Sequence, residues 1–414
     1  METRVETLIV GAGQAGLALS RHLTDLGRDH VLLERHRIAE RWRSERWDSF
    51  RTLTPNWLTR LPGMSYDGAD PDGFMTRAEI VDFFDAYARS FDAPVRTGVT
   101  VGRVFREAEH WIVETDAGRF VAANVVVATG HHDRPRTPEI SQALPPHVAQ
   151  LHTSRYRNPA QLLPGGVLVV GAGPSGQQIA EELARTGRRV VIAAGRHRTL
   201  PRRYRGLDTY RWMDRLGALD RTIDDLADPS VVRRAPAFVV AGGREDLDLR
   251  RLVVAGVVPV GRLTGIDGPI VRFAGDLAAT VVAADDNARR FRASVDDLVT
   301  RTGLTVGDPE APPRPPGRWA VTAPTRLHLD RDAIRTVLWA TGYRRDFSWL
   351  HAPVLDTAGE PVQHRGVTPA PGVYFLGLRW MYRRSSDAIH GVGGDAAFLA
   401  EQIACRRSAR LIAA

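Results

Sequence analysis

The N-terminal part of the chain places a helical pattern between two short apolar runs. An apolar run over 5–10 predicts a buried strand, and apolar residues at helical spacing over 15–26 predict a helix that ends at Gly27. A second apolar run over 30–33 predicts the next strand. The order strand, helix, strand is typical of a βαβ unit, which places both strands side by side in a parallel sheet.

The same order returns in the middle of the chain. Apolar runs over 167–170 and 190–194 predict two strands, and the helical pattern between them ends at Gly187. The two stretches therefore predict two βαβ units, and the chain belongs to the α/β class.

A glycine-rich turn with the spacing G-x-G-x-x-G joins the first strand to the helix in each unit. The first glycine makes the tight turn, the second lets a pyrophosphate approach the backbone, and the third lets helix and strand pack closely. The helix N-terminus then faces the phosphates with unpaired N–H groups and a positive dipole end. One such turn also occurs in unrelated α/β domains, but two turns in complete βαβ units predict two dinucleotide sites. The turn residues are Gly11, Gly13, Gln14, Ala15 and Gly16 in the first unit, and Gly171, Gly173, Pro174, Ser175 and Gly176 in the second.

The residue at the end of the second strand differs between the units. Glu34 ends this strand in the first unit, where a carboxylate accepts hydrogen bonds from ribose hydroxyls and repels a 2′-phosphate. Arginines stand at the corresponding place in the second unit, which suits the 2′-phosphate of NADP. We therefore expect FAD at the first site and NADPH at the second. Arg196 is the main expected phosphate contact, with help from Arg198 or Arg202, and His197 belongs to the same site.

Two further buried strands end in the same small-residue turn. The repeat predicts two points where the chain crosses between the nucleotide domains, at Ala128, Thr129 and Gly130, and at Ala340, Thr341, Gly342 and Tyr343. A proline-rich loop over 311–316 predicts the end of an inserted domain. We predict two Rossmann-like dinucleotide-binding domains of the three-layer ββα type. An NADPH-binding domain over 161–325 is inserted into a discontinuous FAD-binding domain over 1–160 and 326–414.

Composition narrows the function. The chain of 414 residues has a net charge of +8 and a pI near 10.2, but it contains no lysine, and its arginines are spread along the chain. We therefore expect no nucleic-acid partner. No run approaches the roughly 20 apolar residues of a membrane span, and the first strand leaves no room for a signal peptide. We expect a cytoplasmic protein that does not bind a membrane. The sequence leaves open whether the protein forms a homodimer. With one cysteine, Cys405, the chain cannot form the cysteine pair of a disulfide reductase.

Two segments outside the βαβ units are candidates for the flavin site. The loop after Glu34 contains Arg35, Arg41, Trp42, Arg43 and Thr54. It either caps the core with buried aromatic residues or lies over FAD, with Arg41 or Arg43 near the pyrophosphate and the 54–56 turn near the flavin ring.

The second segment opens the final helix. His390, Gly391 and Gly393 precede or begin that helix. Its N-terminus either stabilises negative charge on a reduced flavin or is an ordinary helix start. No catalytic triad or metal cluster is visible in the sequence, and we expect no metal site.

Together these motifs resemble the class B flavoprotein monooxygenases, in particular the bacterial branch of the flavin-containing monooxygenase-like proteins. The resemblance covers most of the chain and rests on the two glycine turns, the Trp/Arg loop and both Ala-Thr-Gly strands. The family signature F-x-G-x-x-x-H-x-x-x-Y/F matches only in its second half, at His152 and Tyr156, because Pro146 and Val148 replace the phenylalanine and the glycine.

The resemblance implies the chemistry. In this family NADPH reduces FAD, O₂ adds to the flavin, and a C4a-(hydro)peroxyflavin transfers one oxygen atom to a small molecule at a nitrogen, sulfur or carbonyl centre. It also implies that Asn56 lies near the flavin as a catalytic residue, and that His152 and Tyr156 lie in a linker that positions NADP(H). Two alternatives remain: an NADPH-dependent reductase that transfers electrons without inserting oxygen, and a dinucleotide sensor without catalysis.

Overall fold

A computed structural model of the protein describes residues 2–230, 235–313 and 315–412. The strands are β1 Glu2–Val10, β2 His30–Glu34, β3 Arg60–Leu61, β4 Met64–Ser65, β5 Val95–Thr97, β6 Val101–Glu107, β7 His110–Thr115, β8 Gly118–Val127, β9 Arg134–Pro135, β10 Ala149–His152, β11 Gly166–Val170, β12 Val190–Ala193, β13 Arg198–Thr199, β14 Arg203–Tyr204, β15 Leu207–Asp208, β16 Phe238–Val239, β17 Val258–Val260, β18 Leu263–Asp267, β19 Ile270–Phe273, β20 Arg326–His328, β21 Ile334–Trp339, β22 Tyr343–Arg344, β23 Leu350–His351 and β24 Val373–Phe375. The α-helices are α1 Gln14–Asp25, α2 Glu40–Ser44, α3 Arg77–Arg89, α4 Pro174–Arg185, α5 Thr209–Arg215, α6 Leu249–Val254, α7 Leu277–Thr302, α8 Arg318–Val321 and α9 Val392–Ile412.

The first sheet has the order β23-β6-β7-β8-β1-β2-β5, and β24 pairs with β8. Its centre is parallel, because β1 pairs in parallel with both β2 and β8, while β6, β7 and the start of β8 form an antiparallel meander. Helix α1 follows β1, packs against the C-terminal helix α9, and buries its apolar face. The predicted strand–helix–strand unit is present at the predicted place.

The second sheet is parallel throughout and has the order β10-β21-β11-β12-β17. Strands β11 and β12 are buried along their whole length, as expected of parallel strands covered on both faces. Helix α4 connects them and gives the second βαβ unit. The architecture confirms the predicted α/β fold with two nucleotide-binding units.

The sheets correct the predicted domain boundaries. Strands β10 and β21 pair with each other and with β11 in the second sheet, whereas the boundaries at 161 and 325 left both strands in the first domain. The second domain therefore spans at least 149–339. The sequence of an apolar strand without a glycine turn does not indicate which sheet the strand joins. In addition, the proline-rich loop precedes the last two strands of this domain and does not end it.

The two predicted crossing points lie side by side. The chain leaves the first sheet after β8 and returns to it after β21, and the short strands β9 and β22 pair antiparallel at these points. The backbone N–H of Arg136 donates to the carbonyl of Gly342 at 2.9 Å. The second domain is thus inserted through two adjacent connections. None of the described helices combines the length and apolar character that a bilayer crossing requires.

Candidate functional site

The three glycines of the first turn differ in the space around them. Gly11 has φ +108°, and a Cβ built on it would lie 2.7 Å from the carbonyl oxygen of Ala128. A Cβ on Gly16 would overlap the carbonyl oxygen of Gly11. Gly13, the N-cap of α1, has no atom within 4 Å of the corresponding position. The backbone is therefore packed at the first and third glycines and open at the second, where a pyrophosphate would approach.

The second turn repeats this geometry. Gly171 has φ +112° and faces the carbonyl of Ala340, and a Cβ on Gly176 would overlap the carbonyl oxygen of Gly171. Gly173, the N-cap of α4, is open. Pro174 and Ser175 begin the helix. Each first glycine thus packs against the alanine that begins a crossing point, Ala128 or Ala340, so each turn is fixed to one connection between the domains.

A cavity of about 510 Å³ opens at the first turn. Many of the predicted FAD contacts line it together: Gly11, Gly13, Gln14, Ala15, Glu34, Arg35, Arg41, Trp42, Ala128, Thr129 and Gly130. Sequence reasoning missed other lining residues, among them Arg46, His131, His132, Asp133 and Asp387.

The Glu34 carboxylate is fixed at the edge of this cavity. The backbone N–H of Ala12 donates to its Oε2 at 3.0 Å, and the N–H of His36 donates to its Oε1 at 3.0 Å. Both bonds come from the backbone, so the carboxylate keeps lone pairs for a ribose hydroxyl. The position and the fixed orientation fit the ribose contact that the spacing predicts.

The loop after β2 contains two arginines, Arg41 and Arg43, either of which the sequence would allow near the FAD pyrophosphate. Arg41 lines the cavity, where it donates to Glu45 at 2.7 Å and to Asp133 at 2.8 Å. Arg43 instead pairs with Asp85 of α3 and donates to the carbonyl of Ile38. Of the two, only Arg41 is placed to contact a cofactor in this cavity.

Two histidines follow the first crossing point. The ring centroids of His131 and His132 lie 4.0 Å apart, and His131 Nε2 lies 3.6 Å from a carboxylate oxygen of Asp387. Burial lowers the pKa of both imidazoles, and the neighbouring His131 lowers that of His132 further. Asp387 is held in turn through its carbonyl, which accepts from Gln14 Nε2 at 3.1 Å. These side chains connect the first turn to the segment that precedes α9.

His152 and Tyr156 have positioning contacts. The N–H of Ser154 donates to His152 Nδ1 at 3.2 Å, so the proton lies on Nε2, which donates to the carbonyl of Gly342 at 3.0 Å. Burial lowers the pKa of His152 and favours this neutral form. The Tyr156 hydroxyl is fully buried and donates to Glu182 of α4 at 2.7 Å. The segment thus ties the second crossing point to the helix of the second glycine turn.

Tyr343 extends the aromatic contacts across the crossing points. Its ring centroid lies 5.0 Å from those of both His132 and His152. Thr341 donates to the carbonyl of Arg136 on the opposite connection.

The arginines after β12 have separate surroundings. Arg196 is exposed, and His197 is buried with its Nδ1 3.0 Å from the carbonyl oxygen of Gly195. Arg198 donates to Asn287 at 3.2 Å. The structure contradicts the predicted phosphate contact of Arg202. Its side chain is only 1% exposed and pairs with Asp208, so it cannot reach a cofactor phosphate.

Comparison with known proteins decides the family. A family model described as pyridine nucleotide-disulphide oxidoreductase matches residues 8–205. An uncharacterized CzcO-like oxidoreductase of Geobacillus kaustophilus is 34% identical over 411 residues, which cover 97% of this chain and 99% of that protein. The chain belongs to the family of CzcO-like oxidoreductases.

Two more distant matches agree with this assignment. The indole-3-pyruvate monooxygenase YUCCA1 of Oryza sativa is 26% identical over 410 residues, covering 92% of this chain and 89% of that protein. A flavin-containing monooxygenase from Stenotrophomonas maltophilia superposes with a TM-score of 0.67 at 19% identity, covering 98% of this chain and 99% of the other. The protein is therefore an oxidoreductase, and the predicted cofactors FAD and NADPH agree with the pyridine nucleotide and the flavin that the descriptions of these matches name.

The remaining predicted residues of this CzcO-like protein lie outside the cavity lining. Asn56 is buried, and its Nδ2 donates to the carbonyl of Asp70 at 2.9 Å while its Oδ1 has no partner among the described residues. Thr54 precedes it and accepts through its carbonyl from Thr52. The role of Asn56 near a flavin stays a prediction.

The segment before α9 is closely packed. A Cβ on Gly391 would overlap Ser385, and one on Gly393 would lie 3.2 Å from Pro62. Burial lowers the pKa of His390 to about 4. The helix itself begins at Val392.

Proposed function

We propose that this protein is a cytoplasmic FAD- and NADPH-dependent monooxygenase that acts on a small molecule at a nitrogen, sulfur or carbonyl centre. Bound FAD would supply the oxygen chemistry: with two electrons from NADPH, one atom of O₂ would pass to the substrate by way of a C4a-(hydro)peroxyflavin and the other would leave as water. One observation carries the proposal: two glycine turns of equal geometry, each open at its second glycine, pack against the two adjacent connections between the domains.

The residues of the chain bind and orient the cofactors. Glu34, which is held by the Ala12 N–H, would accept a hydrogen bond from the ribose of FAD, and the open space at Gly13 would give the FAD pyrophosphate access to the backbone. His152 keeps the second connection in place through its bond to Gly342, so that NADPH at the second turn is held relative to the first domain. Such positioning brings a nicotinamide to a flavin in a reproducible orientation and keeps water out.

The alternative is a reductase that transfers electrons to an acceptor without inserting oxygen. A disulfide centre within the chain is excluded, because Cys405 is the only cysteine and lies exposed on α9. The name of the YUCCA1 relative supports oxygen transfer, whereas the description of the matching family model covers reductases as well. We therefore rank the monooxygenase first.

The test uses labelled oxygen. The FAD-loaded enzyme is supplied with NADPH, candidate substrates and ¹⁸O₂, and the products are analysed by mass spectrometry. We expect one labelled oxygen atom per product molecule and little hydrogen peroxide. Efficient reduction of an added acceptor with no label in any product would favour the reductase.

A further inference from the structure

A second cavity, of about 620 Å³, lies between the second nucleotide unit and the segment before α9. One part of its lining is apolar, with Leu200, Met213, Leu216, Phe238 and Phe291. Another part is basic, with Arg198, Arg221, Arg290 and Arg384. A pocket of this size with an apolar wall and a few polar groups is typical of a small-molecule site.

The basic part centres on one aromatic ring. The guanidinium carbon of Arg198 lies 4.0 Å from the centroid of the Phe238 ring, and that of Arg384 lies 4.8 Å from it. Phe238 thus holds two half-buried guanidinium groups, which come from positions 186 residues apart in the chain. Neither forms an ion pair with a carboxylate in the described ranges 2–230, 235–313 and 315–412.

The two acidic residues of the lining do not neutralise this charge. The Asp225 carboxylate accepts from the N–H and the hydroxyl of Thr222, each at 2.8 Å. Asp220 lies 3.7 Å from Arg383, which is not among the lining arginines.

The surroundings show that the charge is uncompensated. Desolvation, together with the charge of the nearby Arg384, lowers the pKa of Arg198 to about 10. Desolvation also lowers the pKa of Arg384 to about 10. Both groups remain charged at neutral pH, and an anion between them would offset the cost of gathering two cations away from water.

The cavity lies next to the FAD cavity. Arg384 lines the second cavity and Asp387, three residues later, lines the first. The charge of Arg379, in the same segment, lowers the pKa of both His131 in the first cavity and Arg198 in the second. The segment 379–387 therefore borders both cavities, so a molecule in the second is held beside the cofactor site.

We propose that this second cavity is the substrate site and that it selects carboxylates with an aromatic or extended apolar body. The carboxylate would bind between Arg198 and Arg384, and the apolar body would pack against Phe291, Met213 and Leu200. The identification of the bound carboxylate as the substrate rests on the proposed function. The preference of the cavity for carboxylates does not depend on any reaction.

Binding is measured by calorimetry on the FAD-loaded enzyme with two probes of the same shape, 2-naphthylacetate and its neutral amide. The carboxylate should bind at least tenfold more tightly than the amide. In Arg384→Gln the affinity for the carboxylate should fall about ten- to a hundredfold, because a charge-assisted hydrogen bond is lost, and the affinity for the amide should change little. Arg301→Gln, an exposed position on α7, is the matched control and should leave both affinities unchanged.

If the wild-type enzyme binds both probes with equal affinity, the proposal is overturned, and no variant is needed for this conclusion. If Arg384→Gln does not fold, Arg198→Gln is measured in the same way, and an unchanged carboxylate affinity there would also overturn it.

The same cations could instead hold the 2′-phosphate of NADP. The ratio of the Michaelis constants for NADPH and NADH separates the two sources of the anion. We expect this ratio to be unchanged in Arg384→Gln, and its collapse would assign the cavity to the cofactor. If the enzyme prefers the carboxylate probe but its products carry no label from ¹⁸O₂, the proposed binding site stands and only the proposed monooxygenase activity is rejected.

Discussion

At each glycine turn, the space around the missing Cβ changes from one glycine to the next. The first and third glycines face backbone carbonyls, whereas the second faces open space. A side chain at the second position would therefore meet only a bound ligand, whereas a side chain at the third would meet the protein itself. Substitution can separate cofactor binding from folding at positions only three residues apart.

Gly13→Val should yield a folded protein with little FAD, because the side chain occupies the approach of the pyrophosphate without meeting protein atoms. Flavin absorbance after purification and the thermal unfolding of the apoprotein measure the two effects. Gly16→Val is the matched control, and it should lower the unfolding temperature because its side chain overlaps the Gly11 carbonyl. Normal flavin content in Gly13→Val would remove FAD from this turn.

The arginines after β12 show a similar contrast. Arg196→Ala should raise the Michaelis constant for NADPH about ten- to a hundredfold and leave that for NADH nearly unchanged, because the exposed guanidinium would contact only the additional phosphate of NADPH. Steady-state kinetics with both cofactors checks this. Equal damage with the two cofactors would make Arg196 structural.

Arg202→Ala should act on stability instead. Its removal leaves the Asp208 carboxylate and two backbone carbonyls without their buried partner, at a cost of about 3–5 kcal/mol. Urea unfolding measures the loss. An unchanged midpoint together with lost preference for NADPH would reverse the assignment of the two arginines.

The elements that matter most for cofactor geometry are the short strands β9 and β22. They are only two residues long, and they are held by the hydrogen bonds of His152 and Thr341 and by the aromatic contacts of Tyr343. The orientation of the two nucleotide units therefore depends in part on these side chains.

His152→Ala should leave FAD bound but increase the share of NADPH oxidation that ends as hydrogen peroxide, because the nicotinamide site is no longer held against the first domain. The peroxide released per NADPH consumed is the measurement. His147→Ala, at an exposed position paired with Asp330, is the control. Unchanged coupling would give the segment 152–156 a purely structural role.

The sequence predicted those elements whose chemistry is local. Gly11, Gly13 and Glu34 lie within one βαβ unit, where spacing in the chain fixes position in space. His131, Asp387 and Arg384 were missed because their partners come from distant parts of the chain and no motif marks them. Arg202 was assigned to the cofactor because the sequence gives its charge but not its burial.

At the scale of the whole molecule, several histidines are buried in the neutral form. His152 and His197 are buried and His131 and His390 are half-buried, and this burial lowers the pKa of all four imidazoles. A histidine whose pKa is lowered by folding takes up its proton more readily in the unfolded chain. Stability is therefore fully present above the ordinary pKa of about 6.5 and is lost as the pH falls below it.

His390 should account for a measurable part of this loss, because its pKa of about 4 in the folded protein leaves a wide window of pH. Between pH 7.5 and pH 5 the free energy of unfolding should fall by about 2 kcal/mol less in His390→Gln than in the wild type. Urea unfolding at the two pH values, with exposed His351→Gln as control, measures the difference. The same loss in all three proteins would mean that His390 is protonated in the folded state.

The adjacency of β9 and β22 has a consequence for how such enzymes can be recombined. The chain enters and leaves the second domain through antiparallel neighbours, so the two cut ends lie about 5 Å apart. A foreign nucleotide-binding module with closely spaced termini could be spliced in at these strands, and the host sheet would keep every one of its own strands. Cofactor preference and the part of the second cavity that the inserted domain supplies would then be exchangeable at the level of the gene, whereas Arg384 would stay with the flavin-binding scaffold.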